Sequence, residues 1–222
     1  MLSNLDLIRR VPLFAVLTAE QAKTLATAVS KQRFKRGENI VAQGENSNTL
    51  YIILAGRARV VMADSQNKQV ILATLRVGDY VGEMSMIDSE AHSATVQADL
   101  QTDVLILGRD DFMQCMKEHY AIADAIMRGL VQRLRDANHK IGSLALMGVY
   151  GRVANLLLDS VVPGNNGEML TREKVSRQDI AKMVGASREM VSRVMKDFED
   201  QGFIQTQDNG ALRIFERRSK PR

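Results

Sequence analysis

Short apolar runs separated by turn residues occupy the chain between residues 38 and 107. These runs are rich in valine, isoleucine and leucine, as strands are, and the clearest lie at residues 49–54, 58–62, 70–75 and 103–107. Glycines and the polar run DSQNK mark the turns between them. Several short strands at near-regular spacing predict a small antiparallel barrel or sandwich.

Apolar positions follow a helical period on either side of this segment. Residues 18–32 predict a helix, because Thr18 can cap it and apolar residues then recur at helical spacing. After His119, apolar residues recur every three or four positions, at Ile126, Leu130, Leu134, Ala137, Ile141 and Leu144. This stripe predicts one long helix, which either forms a two-stranded dimer interface or lies along its own barrel. A stripe of this length needs an equally long partner surface, which favours the dimer.

Two helices joined by a tight turn are predicted near the C-terminus. Ser176 can cap a helix over residues 177–184, and Gly185 can supply the turn that follows. Ser187 can cap a second helix over residues 188–201. A helix, a short glycine turn and a second helix form the arrangement that places the second helix in the major groove of DNA.

A hairpin is predicted directly after the second helix. The strand-like runs FIQTQ, at residues 203–207, and ALRIF, at residues 211–215, flank Asp208-Asn209-Gly210. An Asp-Asn-Gly sequence between two such runs is a strong hairpin signal. The whole segment therefore predicts a winged helix-turn-helix.

The polar face of the second helix carries the candidate DNA contacts. Arginine can bind guanine with two hydrogen bonds and glutamate can accept one from cytosine, so we expect base contacts from Arg188, Glu189 and Arg193. The residues positioned for phosphate contacts are Ser176, Arg177, Gln178, Ser187 and Lys196. Residues 150–222 carry 13 Lys and Arg against 10 Asp and Glu, a mild basic excess compatible with a polyanionic partner.

Composition narrows the class of protein further. The chain has 222 residues, a net charge of +4 and a single cysteine, Cys115, which excludes an internal disulfide and favours the reducing cytoplasm. Neither a signal-peptide pattern nor an apolar run long enough for a membrane helix is recognisable. His92, His119 and His139 lack metal-ligand spacing, and no catalytic motif is recognisable, so we expect neither a metal site nor an enzyme.

The stretch SRQDIAKMVGASREMVSRVMKDFEDQGFI resembles the DNA-binding signature of the cAMP receptor protein/fumarate-nitrate regulator (CRP/FNR) superfamily, and most of all its cAMP receptor branch. The resemblance extends in order along nearly the whole chain. It implies an α+β fold with a cyclic-nucleotide-binding-type β-barrel (jelly roll) that senses an effector at residues 1–118, a dimerisation helix at 119–147 and a winged helix-turn-helix at 148–222. It also implies a homodimeric bacterial transcription regulator that binds a palindrome with TGTGA-like half-sites. The loop at residues 160–168 falls where relatives touch RNA polymerase.

The segment GDYVGEMSMIDSEAHSATV resembles the nucleotide-binding loop of the same superfamily. The resemblance implies an effector site at Gly82, Glu83, Met84, His92, Ser93, Ala94 and, on the long helix, Asn138. His92 stands where relatives carry the arginine that neutralises a cyclic phosphate, and histidine is mostly neutral at pH 7. Ala137 and Asn138 stand where cAMP-binding relatives carry the Thr-Ser pair that reaches adenine.

Three interpretations of the effector therefore stay open: cyclic di-GMP, cAMP or cGMP at reduced affinity, and another ligand or none. Losing a charged partner for the phosphate would weaken binding by about 1.5–3 kcal/mol. No cofactor beyond such an effector is expected. An alternative function is a cyclic-nucleotide-sensing module that acts through protein partners, with the winged domain retained for protein contact.

Overall fold

The computed structural model describes residues 3–163, 169–171, 176–208 and 210–215. Contacts within the chain divide it into two compact units, Met1–Arg135 and Asp136–Arg222. The division falls inside the long helix predicted from the apolar stripe. The domain boundaries expected after residues 118 and 147 remain predictions.

The described ranges contain eight α-helices, one 3₁₀ turn and twelve short strands. The helices are α1 Asn4–Arg10, α2 Ala19–Ala28, α3 Glu83–Asp88, α4 Arg109–Glu118, α5 Tyr120–Leu146, α6 Val149–Asp159, α7 Arg177–Val184 and α8 Arg188–Asp200, with a 3₁₀ turn at Pro12–Phe14. The strands are β1 Val29–Phe34, β2 Asn39–Val41, β3 Thr49–Ala55, β4 Ala58–Ala63, β5 Gln69–Leu75, β6 Tyr80–Val81, β7 Thr95–Ala98, β8 Thr102–Gly108, β9 Val161–Pro163, β10 Met169–Thr171, β11 Ile204–Thr206 and β12 Leu212–Ile214. Among the described helices, none is both long and apolar enough to cross a membrane.

The first unit contains two four-stranded antiparallel sheets. Their strand orders are β1-β8-β3-β6 and β2-β7-β4-β5, so strands distant in sequence are neighbours in both sheets. Such crossed pairing is typical of a jelly roll. The predicted jelly roll is therefore confirmed, with two separate sheets in place of a closed barrel.

The helix predicted over residues 18–32 is wrong at its C-terminal end. Its start is as expected, because Thr18 caps α2 by accepting a hydrogen bond from the Gln21 backbone N–H. The helix ends at Ala28, however, and Val29–Phe34 is strand β1, which pairs with β8. The partner strand lies far along the sequence, so the local spacing of apolar residues could not reveal a hydrogen-bonding partner that overrides helix propensity.

Helix α5 begins inside the apolar core of the first unit. Ile122 and Ile126 are almost fully buried and belong to the same core as Phe112, and Leu130 packs against that core. The first part of the apolar stripe therefore packs against the sheets of the same protomer, which is one of the two interpretations given above. Beyond Leu130 the stripe is exposed, and we call the residues Leu134, Ile141 and Leu144 the exposed stripe.

Beyond α5, the described part of the second unit combines helices α6, α7 and α8 with a small sheet. Apolar residues of all three helices and of the sheet share one core, which includes Val153, Ile180 and Val191. The sheet has the order β11-β12-β10-β9, and the hairpin of β11 and β12 is the predicted wing. The winged helix-turn-helix is confirmed, whereas the three-residue strands β9 and β10 had no signal in the sequence. Asn209 of the predicted turn lies outside the described residues.

Candidate effector and DNA-binding sites

Gly82 starts α3 directly after strand β6. Its backbone is left-handed, with a φ of 97°. A Cβ atom at this position would collide with the carbonyl oxygen of Thr49 on β3. The backbone angle and the close approach both require glycine, and the turn brings Glu83 into the interior at the first position of α3.

Arg133 of α5 binds the buried Glu83 side chain. Its Nη1 donates to Oε1 of Glu83 over 2.6 Å, and its Nη2 donates to the carbonyl oxygen of Tyr80 over 2.6 Å. The guanidinium also lies over the Tyr80 ring, 4.9 Å from its centroid. Arg133 thus links α5 to β6 and to α3. Both of these elements lie in the segment GDYVGEMSMIDSEAHSATV, which we call the candidate effector loop.

Burial and Arg133 act on Glu83 in opposite directions. Glu83 is 1% exposed, and its burial raises the pKa of the carboxyl above its ordinary value, while Arg133 counteracts that rise. The second carboxylate oxygen, Oε2, is buried without a hydrogen-bond partner among the described residues. A buried, unsatisfied acceptor of this kind can receive a hydrogen bond from a guest's hydroxyl group.

A glycine lets α5 approach strand β6 closely. A Cβ atom at Gly129 would collide with the Tyr80 hydroxyl oxygen. Gly129 and Arg133 are four residues apart and so lie on one face of the helix. Sequence reasoning missed both residues, although a glycine inside a strongly helical stretch was an available signal of close packing.

His92 is buried among polar groups. Its Nε2 lies 2.8 Å from Oγ of Ser47 and its Nδ1 lies 3.0 Å from Oγ of Ser85. Burial lowers the pKa of the imidazole, and the carboxylate of Glu45 opposes that shift. The sequence did not single out either serine, because Ser47 lies outside the recognised segments and Ser85, inside the quoted loop, has no role that the resemblance assigns.

The remaining expected effector residues differ in exposure. Ser93 and Met84 are exposed, whereas Ala94 is buried. Asn138 is exposed on α5 and belongs to the second unit, so its place in the effector site remains a prediction. No cluster of His, Cys, Asp or Glu suited to a metal ion occurs among the described residues.

Helix α8 has one apolar, buried face and one polar, exposed face. Val191, Val194 and Met195 are buried in the core of the second unit. The expected base-contacting residues Arg188, Glu189 and Arg193 are exposed. The residues expected to contact phosphates, Ser176, Arg177, Gln178, Ser187 and Lys196, are exposed as well.

Side-chain caps fix the starts of both helices of the helix-turn-helix. Ser176 accepts a hydrogen bond from the Asp179 backbone N–H over 3.0 Å, and Ser187 accepts one from the Met190 N–H over 3.2 Å. Gly185 joins the helices with a left-handed backbone, φ 63°. These local features are the ones that the sequence predicted.

Helix α6 contacts α8 through the side chain of Tyr150. The Tyr150 hydroxyl donates to the Asp197 carboxylate, and the Tyr150 ring meets the edge of Phe198 at 5.9 Å between centroids. Phe198 makes a second edge contact with Phe203, just before the wing. Aromatic contacts therefore join α8, through Phe198, both to α6 and to the start of the wing.

Comparison with known proteins gives consistent matches for both units. The cyclic nucleotide-binding domain matches residues 31–119, and the Crp-like helix-turn-helix domain matches residues 151–219. The chain is 30% identical over 183 residues to the cAMP-activated global transcriptional regulator Vfr of Pseudomonas aeruginosa, covering 78% of this chain and 84% of Vfr. It is 31% identical over 178 residues to the cAMP-activated global transcriptional regulator CRP of Salmonella typhimurium, covering 78% of this chain and 83% of that protein.

Solved structures share the fold. The c-di-GMP responsive global regulator CLP of Xanthomonas campestris superposes with a TM-score of 0.77 at 22% identity, covering 90% of this chain and 100% of CLP. The regulator TTHB099 of Thermus thermophilus superposes with a TM-score of 0.66 at 26% identity, covering 83% of this chain and 92% of TTHB099.

A cyclic nucleotide-binding domain followed by a Crp-like helix-turn-helix defines the class of protein as a DNA-binding transcription regulator. The chain belongs to the CRP/FNR family, since curated relatives at 30% and 31% identity match it over most of their length. The resemblance expected from the recognition helix is confirmed. These relatives are regulators of transcription, which points away from an enzyme.

Proposed function

We propose that the protein is a homodimer that binds palindromic DNA with TGTGA-like half-sites through α8 of each protomer. The observation that carries the proposal is the two-sided character of α8. Val191 and Val194 fix one face in the core, while Arg188, Glu189 and Arg193 project from the other face into solvent. Such a helix can enter the major groove and present arginine and glutamate to base edges.

A salt series with two DNA duplexes tests this proposal. We expect tight binding to a labelled TGTGA palindrome, weaker binding to a scrambled duplex of equal length, and a steep loss of affinity as salt rises. Equal affinity for both duplexes would contradict sequence-specific regulation. It would favour the alternative of a sensing module that acts through protein partners.

The exposed stripe supports the proposed dimer. Leu134, Ile141 and Leu144 are each more than half exposed, although their spacing is that of an apolar helix face. Leucine and isoleucine at this spacing are covered by a second helix in two-stranded assemblies. We propose that α5 of a second copy covers them.

We further propose that the first unit senses a cyclic nucleotide, with cyclic di-GMP and cAMP as the candidates. The proposed site comprises Gly82, Glu83, Met84, His92, Ser93, Ala94 and Asn138. The unsatisfied Oε2 of Glu83 supports a guest that carries a hydroxyl group. Vfr and CRP are named as cAMP-activated, and CLP, which shares the fold, is described as c-di-GMP responsive.

Calorimetric titration with cAMP, cGMP and cyclic di-GMP tests the proposed effector. The DNA-binding series is then repeated with whichever nucleotide binds. Binding of none, together with specific DNA binding, would leave a regulator that acts without such a ligand. A change in DNA affinity on adding the bound nucleotide would support effector control.

The contact between Glu83 and Arg133 suggests how an effector acts on DNA binding. A guest at Glu83 changes the surroundings of an arginine on α5, the helix that continues into the second unit. An effector shifts the equilibrium between two arrangements of the recognition helices only to the extent that it binds one arrangement more tightly than the other. Contact with RNA polymerase is proposed for the loop at residues 160–168, of which residues 164–168 lie outside the described part.

A further inference from the structure

Both ring nitrogens of His92 already have partners within the protein. Nε2 lies 2.8 Å from the Ser47 hydroxyl oxygen, and Nδ1 lies 3.0 Å from the Ser85 hydroxyl oxygen. His92 is 8% exposed, and Ser85 is buried beside it. These three side chains form a continuous hydrogen-bonded chain, which we call the Ser47–His92–Ser85 chain.

The main chain of His92 is held at the same place. Its N–H donates to the carbonyl oxygen of Glu45 over 2.9 Å, and its own carbonyl oxygen accepts from the Gly44 N–H over 2.8 Å. Ser47 follows in the same loop, between β2 and β3, whereas Ser85 belongs to α3. His92 therefore joins the β2–β3 loop, α3 and the segment that leads into β7.

A neutral imidazole satisfies this chain completely. It has one donor nitrogen and one acceptor nitrogen, and each serine hydroxyl can donate or accept as required. An imidazolium would place a positive charge at a buried position, with Glu45 as the carboxylate acting on it. Burial of a charge is unfavourable unless it is well paired.

We infer that His92 is a neutral positioning residue of the candidate effector site and does not supply the cation that meets an effector's phosphate. It links the β2–β3 loop to α3 at the residue that directly precedes Ser93 and Ala94 in sequence. This inference deepens the proposed function, because it concerns how the same site meets its guest. A phosphate there would meet no cation at the position of His92.

A titration of the free protein tests the inference without any effector. The ring C–H signals of His92, His119 and His139 are followed by NMR from pH 5 to pH 8, with His92→Gln used to assign the His92 signal. We expect His92 to titrate below 6.5, the ordinary value for histidine. Titration of His92 at or above that value in the free protein would overturn the inference.

Proton uptake on binding provides the second test. Calorimetry at pH 7 with cAMP and with cyclic di-GMP, each in phosphate and in Tris buffer, separates binding heat from the heat of buffer ionisation. A neutral positioning residue predicts almost no proton uptake. A histidine that becomes the phosphate's cation predicts uptake approaching one proton per site, lost in His92→Gln, and that result would overturn the inference. If neither nucleotide binds, the proposed effector fails, while the titration of the free protein still decides the role of His92.

Serine variants provide a matched comparison for a nucleotide that binds. Ser85→Ala removes one hydrogen bond from the chain, and we expect about fivefold weaker binding because α3 loses its link to His92. Ser65→Ala, in the exposed turn between β4 and β5, is expected to leave affinity unchanged. Equal affinity of the Ser85→Ala and Ser65→Ala variants would contradict a positioning role.

Discussion

Arg133 on α5 donates a hydrogen bond to the buried carboxylate of Glu83 on α3, with 2.6 Å between Nη1 and Oε1. Charged hydrogen bonds of this kind are roughly twice as strong as neutral ones. The arginine also holds the Tyr80 carbonyl oxygen, so the effector loop and the long helix share one polar junction. A residue that the family resemblance assigns to the effector is thus joined to the proposed dimerisation helix.

Removing Arg133 should destabilise the first unit. Arg133→Ala leaves the buried carboxylate of Glu83 without its cation, and we expect a loss of about 1–3 kcal/mol in the free energy of unfolding. The loss is smaller than for a fully buried pair because the Arg133 side chain is 39% exposed. Urea unfolding at pH 7 measures it.

A second substitution distinguishes the effect of the unpaired charge from the effect of lost packing at this junction. Glu83→Gln in the Arg133→Ala background removes the uncompensated charge, so we expect part of the lost stability to return. Arg128→Ala, an exposed arginine on the same helix, serves as the control and should change stability by no more than about 0.5 kcal/mol. A loss in Arg128→Ala as large as in Arg133→Ala would show that the buried carboxylate is not the cause.

Gly129→Ala should destabilise the protein although alanine favours helices. The added Cβ collides with the Tyr80 hydroxyl oxygen, and overpacking of this kind costs about 1–3 kcal/mol. Adding Tyr80→Phe removes the colliding oxygen and should restore most of the lost stability. Chemical unfolding of the single and double variants measures both effects.

Gly142→Ala is the matched control on α5. Apart from its chain neighbours and the backbone of its own helix, no heavy atom of the described chain lies within 4 Å of a Cβ built at Gly142. Alanine is better than glycine inside a helix by about 0.5–1 kcal/mol, so this variant should gain stability. A gain of similar size in Gly129→Ala would refute the close approach of α5 to Tyr80.

Leu134→Asp should dissociate the proposed dimer. Leu134 is 62% exposed, so a charge there is tolerated in one protomer but is unfavourable against the apolar stripe of a second copy. Sedimentation velocity should show monomers. Leu100→Asp, another exposed leucine changed in the same way, should remain a dimer. Dimeric Leu134→Asp would place the interface elsewhere.

Arg193→Ala should relax recognition at a single base pair. We expect a loss of about 1–3 kcal/mol for the preferred base and nearly equal affinities for the four bases at that position. Lys196→Ala is the comparison. Loss of a phosphate contact weakens binding to all sequences and lowers the slope of log affinity against log salt concentration by about 1. Electrophoretic shift assays on single-base variants of the palindrome distinguish the two. A uniform loss in Arg193→Ala would be inconsistent with base contact.

The buried histidine should make stability depend on pH. Because the folded pKa of His92 lies below its ordinary value of 6.5, the unfolded chain takes up a proton first as pH falls. The contribution of His92 to the free energy of unfolding is therefore complete above about pH 7 and decreases as pH drops through 6.5. Glu45, Glu83, Asp88 and Glu90 are the acidic residues on the segments around the ring, and burial raises the pKa of Glu83, so comparison with His92→Gln is needed to isolate the contribution of the histidine. Unfolding between pH 5.5 and 8 should show this decrease in the wild type and a weaker one in His92→Gln.

Some residues of the effector site can be predicted from a local stretch of sequence, and others cannot. Gly82 and Glu83 were recognisable because the Gly-Glu pair resembles the nucleotide-binding loop of the superfamily. The partners of Glu83 and His92 were not recognisable, since Arg133 is 50 residues from Glu83 and Ser47 is 45 residues from His92. The crossed strand order of the jelly roll and the packing of α5 against its core bring such distant residues together.

The sequence by itself determined the helix-turn-helix to within one residue, because the caps at Ser176 and Ser187, the Gly185 turn and the stripe of α8 are local features. It also determined the order of the domains and the family. Tertiary structure decided that residues 29–34 form a strand and that Arg133 joins Glu83. It also decided that both nitrogens of His92 have serine partners. The physical reason is that strand pairing and the satisfaction of buried polar groups depend on neighbours in space, which the spacing of residues along the chain does not specify.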